Sequence, residues 1–151
     1  LDFDFAQVKE QSRDNPVFYV QYAHARARSV FRAAARDLPG VDFGAAALAA
    51  APVDLLTRAE ELELLRLIAQ WPRVVASAAS AHEPHRIAFY LGDLAAAFHA
   101  WWNRGNDDAS KRFLLAQNPE TTRARMALAD AIGQIVRNGL GIMGVTAATE
   151  M

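Results

Sequence analysis

Along nearly the whole chain, apolar positions recur at helical rather than alternating spacing. Val20, Ala23, Ala27, Val30 and Ala34 fall at i, i+3, i+7, i+10 and i+14, which puts them on one face of a helix. Asn15 suits the cap of that helix and Pro16 its first position. Leu38-Pro39-Gly40 supplies the stop, so a helix is predicted over 16–37. Thr57-Arg58-Ala59-Glu60 reads as a capping box opening a helix over 61–70, with Leu62, Leu65 and Ile68 or Ala69 facing the core. Trp71-Pro72 is expected to end it and start another through about Ala81, with Trp71 packing at the corner. Ile87, Leu91, Leu94, Phe98 and Trp101 form the buried seam of a helix over 84–103. Asn118-Pro119 caps a last helix that buries Leu128, Ala129, Ile132, Ile135, Val136, Leu140 and Met143. Asn138-Gly139 within it predicts a kink or a tight crossing.

The remaining stretches carry weaker patterns. Residues 1–12 predict a short amphipathic helix, with Asp4 and Gln7 as a capping pair and Phe5 and Val8 on one side. Residues 41–54 support only a loose turn or marginal helix, and 105–118 a polar connection anchored by Phe113-Leu114-Leu115. The sum is an all-α helical bundle of about six to seven helices, one domain over 1–151.

Composition changes the picture in a few respects. The 32 alanines against 8 glycines reinforce the helical assignment. The absence of cysteine removes disulfides, thiolate nucleophiles and cysteine-type zinc sites from consideration. No run approaches the ~20 apolar residues of a membrane span and no signal-like segment opens the chain, so a cytoplasmic location and no membrane partner are expected. A first residue of leucine suggests a piece of something longer. The net charge of −1 argues against indiscriminate phosphate binding but is compatible with reading a few splayed bases. Of the 16 basic residues 14 are arginine, the residue better suited to forked contacts and stacking.

Candidate chemistry concentrates on the helix over 16–37. Asn15, Tyr19, Tyr22 and Arg26 share a stripe roughly 60° wide, beside the apolar one. Two tyrosines a turn apart are most often half-buried packing with wet hydroxyls, and such a ladder of rings, hydroxyls and a guanidinium can also stack on unpaired bases; spacing alone does not decide between them. Arg28, Arg32 and Arg36, at i, i+4 spacing, are either phosphate contacts or a solvated charged face. In the helix over 84–103, Trp101 belongs to the buried seam. Trp102 is turned ~100° away, onto a stripe with Ala88, Gly92, Ala95 and His99 that can pack against the first long helix. Trp102 would then stand at the margin of the tyrosine pocket. Arg137 and Asn138 are polar groups late in an apolar helix that can meet RNA or cap carbonyls. His82 and His85 flank Glu83-Pro84 without metal-ligand spacing, so no metal site is expected, and His85 reads as a helix-start residue.

The run Asp14-Asn15-Pro16-Val17-Phe18-Tyr19-Val20-Gln21-Tyr22-Ala23-His24-Ala25-Arg26, with Ser29-Val30 behind it, resembles the opening of the C-terminal anticodon-binding (DALR-type) domain of bacterial arginyl-tRNA synthetases. Three further stretches match in order: Glu83-Pro84-His85-Arg86-Ile87-Ala88-Phe89-Tyr90-Leu91 with Asp93-Leu94-Ala95, then Arg137-Asn138-Gly139-Leu140, then Glu150-Met151. The likeness runs through essentially all 151 residues. It implies the fold of a class I synthetase anticodon-binding domain, excised from a parent arginine–tRNA ligase whose catalytic domain is absent. It further implies that Trp102 stacks on an anticodon base, with Asn15, Tyr19, Tyr22, Arg26 and Met151 around it. The family's ending is similar to Pro-Glu-Arg-Met. Here Thr149-Glu150-Met151 lacks the proline and the arginine, so only Met151 is carried over.

The fragment itself shows no catalytic signature: no phosphate-cradling glycine loop, no His-Ile-Gly-His-like or Lys-Met-Ser-Lys-Ser-like motif, no recognisable Ser–His–Asp arrangement. Catalytic residues and cofactors are therefore expected to be none, with ATP and Mg belonging to the parent. The expected partners are the anticodon loop of arginine tRNA and the catalytic domain of the same chain, in a monomeric parent. The competing readings are the anticodon-binding domain of a cysteinyl- or glycyl-type synthetase, and a helical protein-interaction module with no RNA role.

Overall fold

The computed structural model describes residues 15–151. The helix expected over 1–12, with Asp4 and Gln7 as its capping pair, lies outside the described residues, as does Asp14. Five α-helices follow: α1 Pro16–Asp37, α2 Ala45–Ala49, α3 Ala59–Ala81, α4 His85–Asp107 and α5 Pro119–Ile142. Single 3₁₀ turns at Val53–Leu55 and Ala109–Lys111 link them. The described residues contain no strand. They form an all-α bundle in which α1 packs mainly on α5, α3 mainly on α4, and α4 also touches α1 and α5.

The ends of α1 and α5 are set by the residues the pattern singled out. The Asn15 side chain accepts from the amides of Val17 (3.0 Å) and Phe18 (3.4 Å), and the Asn118 side chain accepts from the Thr121 amide (3.0 Å). The apolar stripe of α1 is buried throughout, as are Ile87, Leu91, Leu94, Phe98 and Trp101 of α4. Gly139 lies at a tight crossing of α5 on α4. A Cβ there would lie 2.8 Å from a Leu91 methyl carbon, so a larger residue would require the Leu91 side chain to shift.

Helix α3 departs from expectation. It runs unbroken through Pro72, so what reads as two helices is one, and the described residues hold five α-helices where the sequence predicts about six to seven over the whole chain. Proline removes a single i→i−4 hydrogen bond, and packing on both sides of the gap holds the helix together. Trp71 stacks on Tyr90 of α4 (centroids 5.5 Å, 29°), and the Tyr90 hydroxyl donates to the Leu67 carbonyl (2.9 Å) in the same turn. The start is also displaced by one residue: Arg58 is the cap, and Glu61 rather than Glu60 accepts from its amide (3.1 Å). The buried face is accordingly Glu61, Leu64, Leu67 and Ala78, whereas Leu62 is exposed.

Glu61 can be buried because Arg125 of α5 meets it. The guanidinium donates to the Glu61 carboxylate (2.7 Å) and to the carbonyls of Ser110 (2.9 Å) and Arg112 (2.5 Å), and both side chains are at most 2% exposed. One charge pair thus ties α3, α5 and the 109–112 turn, with Arg125 lying 5.7 Å from the Trp101 ring.

Candidate nucleic-acid interface

The stripe on α1 meets the end of α4 and the segment 144–151. Tyr22 and Arg26 come from α1, Trp102 from the last turns of α4, and Met151 from the far end of the segment. Together with Ser29 and Arg32 they line an open cavity of about 200 Å³. That is below the roughly 300–1,000 Å³ of pockets that enclose drug-sized ligands, and matches one flat ring group rather than a whole nucleotide. On the other side of Trp102 lies a second cavity of about 480 Å³, whose wall includes Ser29, Asp37, Asn106, Lys111 and Arg112. The indole stands between the two, backed by Phe98 (6.3 Å) and Phe113 (5.9 Å).

Arg26 is the centre of the small cavity. Its guanidinium carbon lies 4.4 Å from the Tyr22 ring centroid and 5.1 Å from that of Trp102. The faces expected to receive bases are therefore partly covered by a cation held by their quadrupoles. Among the described residues no carboxylate pairs with Arg26. Its Nη1 donates instead to Nδ1 of His99 (2.9 Å), a buried residue of α4.

His99 also explains where Tyr19 goes. Its Nε2 donates to the Tyr19 carbonyl (3.2 Å), and its ring lies 4.6 Å from the Tyr19 ring and 5.4 Å from that of Tyr22. Tyr19 is half-buried against His99 and is not part of the cavity wall. The Asn15 carbonyl group is occupied by the helix cap, likewise away from the cavity. The small-residue stripe of α4 packs only in its later half: Ala95 and His99 are buried, Ala88 is exposed.

The arginines at i, i+4 spacing each have a partner within the chain. Arg28 faces Asp130 of α5 (3.7 Å) and lies over Phe31 (5.0 Å). Arg36 pairs with its neighbour Asp37 (2.6 Å), whose carboxyl the Arg36 hydrogen bond holds below the usual carboxylate range. Arg32 donates to the Thr149 carbonyl (3.1 Å), and it alone of the three reaches the cavity. Arg137 and Asn138 are exposed on α5. His82 ends α3 in the left-handed region (φ 57°), and His85 begins α4 with its ring edge-on to Phe89.

The resemblance brings Met151 to the site, but the bonds that dock segment 144–151 there are not readable from spacing. The segment has no regular secondary structure, yet three α1 side chains hold it by its backbone. Gln21 donates to the Thr146 carbonyl (2.8 Å), His24 Nδ1 to that of Ala148 (2.7 Å), and Arg32 to that of Thr149. The acceptors are main-chain atoms, so no side-chain pattern announces them. His24 and Gln21 do stand in the motif that opens α1, and that was the available signal.

Comparison with known proteins gives this geometry a context. The family described as DALR anticodon binding domain matches residues 20–151. The chain is 60% identical over 152 residues to the arginine–tRNA ligase of Rhodospirillum rubrum and 58% identical over 151 residues to that of Methylobacterium nodulans. It is covered completely in both cases and spans about a quarter of each relative (26%). Among solved structures, the arginyl-tRNA synthetase of Thermus thermophilus superposes with a TM-score of 0.79 at 29% identity, over all of this chain and 24% of that one. A Campylobacter jejuni structure titled as a putative arginyl tRNA synthetase shares the fold, with a TM-score of 0.74 at 24% identity, over all of this chain and 30% of that one.

Proposed function

Since the chain belongs to the DALR anticodon binding domain family, we propose that it recognises the anticodon of arginine tRNA, as one part of an arginine–tRNA ligase. The supporting observation is the cavity ringed by Tyr22, Arg26, Trp102 and Met151, in which a guanidinium with no carboxylate partner among the described residues lies over two aromatic rings. A flipped-out base entering there meets flat surfaces to stack on and a donor-only fork. The fork favours base edges rich in acceptors, N3 and O2 of cytosine among them. Stacking on Tyr22 or Trp102 contributes about 1–3 kcal/mol per base. Tyr19 and Asn15 act behind the contact, shaping α1, and Met151 closes the cavity from the segment. Arg28, Arg32 and Arg36 lie alongside as phosphate contacts that would exchange their present partners for RNA.

On this proposal, placing the anticodon sets the acceptor end of the tRNA in a distant active site, so anticodon identity affects catalysis as well as affinity. ATP and Mg then serve the catalytic domain of the parent. Among the described residues no group of three or more His, Asp or Glu is placed to hold a metal ion, so no step is assigned to one here. No described helix is long and apolar enough to cross a membrane; the parent ligase is taken, as part of this proposal, to work in the cytoplasm as a monomer. Arginine tRNA is preferred over cysteine or glycine tRNA because the relatives of highest identity named above are arginine–tRNA ligases.

The test is a titration of the chain with an arginine-tRNA anticodon stem-loop and with one altered at the middle base, at two salt concentrations. Preference for the cognate loop at both is expected, with about tenfold weaker binding in Tyr22→Ala. Equal binding of the two loops would remove the proposed role, and no binding at all would favour a helical interaction module.

A further inference from the structure

We propose that His99 is the positioning residue of the cavity, setting the orientation of Arg26 without neutralising it; this rests on Arg26 contacting RNA as proposed above. The bonding pattern fixes the ring chemically. A carbonyl oxygen only accepts, so the Nε2 facing Tyr19 carries the hydrogen. A guanidinium only donates, so the Nδ1 facing Arg26 presents its lone pair. Satisfying both contacts requires the neutral imidazole with its single proton on Nε2.

That choice of partner has a consequence for the ligand. Arg26 gives one N–H to His99 and keeps the remaining donors of its fork, while Tyr22 and Trp102 hold its plane from the faces. A carboxylate in the place of His99 would hold the guanidinium as firmly, but it would cancel its charge and repel phosphates. A neutral acceptor orients the group and leaves the positive charge available. Burial of His99 among the Tyr19, Tyr22 and Phe98 rings keeps that acceptor in place before any RNA arrives.

The two nitrogens can be separated by substitution. His99→Asn would set an amide carbonyl oxygen near the Nδ1 position and keep an acceptor for Arg26. His99→Gln extends its amide to the Nε2 position and keeps only the bond to Tyr19. His99→Phe keeps the ring and loses both. Binding of the arginine-tRNA anticodon stem-loop is measured for each, alone and combined with Arg26→Ala, with thermal unfolding of every variant recorded. The expected result is about tenfold weaker binding for His99→Phe and His99→Gln, with His99→Asn near the parent. In the Arg26→Ala background, His99→Phe should add less than about twofold.

An equal further loss in that background would overturn the proposal, because His99 would then be acting through the fold. So would parent-like binding of His99→Phe, or recovery by the glutamine variant and not the asparagine one. If Arg26→Ala alone binds like the parent while Trp102→Ala is weakened, this inference fails and anticodon recognition stands. If Tyr22→Ala, Arg26→Ala and Trp102→Ala all bind like the parent, both fail.

Discussion

Two adjacent tryptophans, each under an arginine, have opposite surroundings. Arg125 lies 5.7 Å from the Trp101 ring and Arg26 lies 5.1 Å from that of Trp102. Arg125 is 2% exposed, paired with Glu61 and bonded to two carbonyls, so its charge is consumed within the fold. Arg26 is half-buried, leans on a histidine and opens onto a cavity. The same cation–π motif therefore serves cohesion in one place and readiness for a ligand in the other. The difference lies in the counter-charge and in access to water.

The comparison breaks most visibly at the sealed end. Arg125→Ala or Glu61→Ala leaves an uncompensated buried charge and should cost about 3–5 kcal/mol, read as a fall in the urea midpoint at unchanged slope. Trp101→Ala should cost a similar 3–5 kcal/mol or so, because it empties a fully enclosed site. If Trp101→Ala were as stable as the parent, the assignment of the two indoles would be reversed.

A second test stays within the sealed half and uses pH. Burial pushes the Tyr90 hydroxyl up to about 12 from its ordinary 10. The folded state therefore binds this proton more tightly than the unfolded one. The stability it contributes is complete below pH 10 and is lost as pH rises from 10 towards 12, about 2–3 kcal/mol in all. Urea midpoints measured across that window should decline, and Tyr90→Phe should decline less.

At the open end the effects move from stability to affinity. Trp102→Ala should weaken stem-loop binding by about 1–3 kcal/mol while unfolding close to the parent temperature, the reverse of Trp101→Ala. Smallest is Arg32→Ala. If it contacts a phosphate, the salt slope of binding falls by about one at every anticodon sequence. Losing its bond to the Thr149 carbonyl should cost only about 0.5–1.5 kcal/mol in the docking of the last residues, seen as faster amide exchange at 147–151. An unchanged slope would assign Arg32 to holding segment 144–151 alone.

The division between the two ends was legible largely as helical phase. The ~100° between successive residues put Trp101 inside and Trp102 at the edge, and both lie there. The α1 stripe, its cap and its stop followed from local chemistry and hold in the structure. What failed involved long-range partners. Leu62 reads as core by apolar spacing alone, whereas the buried face is turned to Glu61, whose burial depends on Arg125, 64 residues away. Pro72 reads as a break because local rules count the lost hydrogen bond and not the Trp71–Tyr90 packing across it. Tyr19 and His99 share a site through a carbonyl, which no spacing rule sees. Composition alone places no residue in the cavity; the motif opening α1 names Tyr22 and Arg26, the i, i+4 arginines include Arg32, and the resemblance read with helical phase names Trp102 and Met151.

The hydrogen bonds that grip the segment after α5 end on its carbonyls at Thr146, Ala148 and Thr149, while Val145 and Ala147 pack on the core and, among the described residues, the last letters make no hydrogen bond of their own. Evolution can therefore rewrite those letters cheaply, and the missing arginine and proline near the end become unsurprising. Its ruler is residue count. A one-residue insertion or deletion between Val145 and Met151 would rotate the acceptors off Gln21, His24 and Arg32 and swing the terminal thioether out of place. Among homologues, gaps there should be far rarer than substitutions.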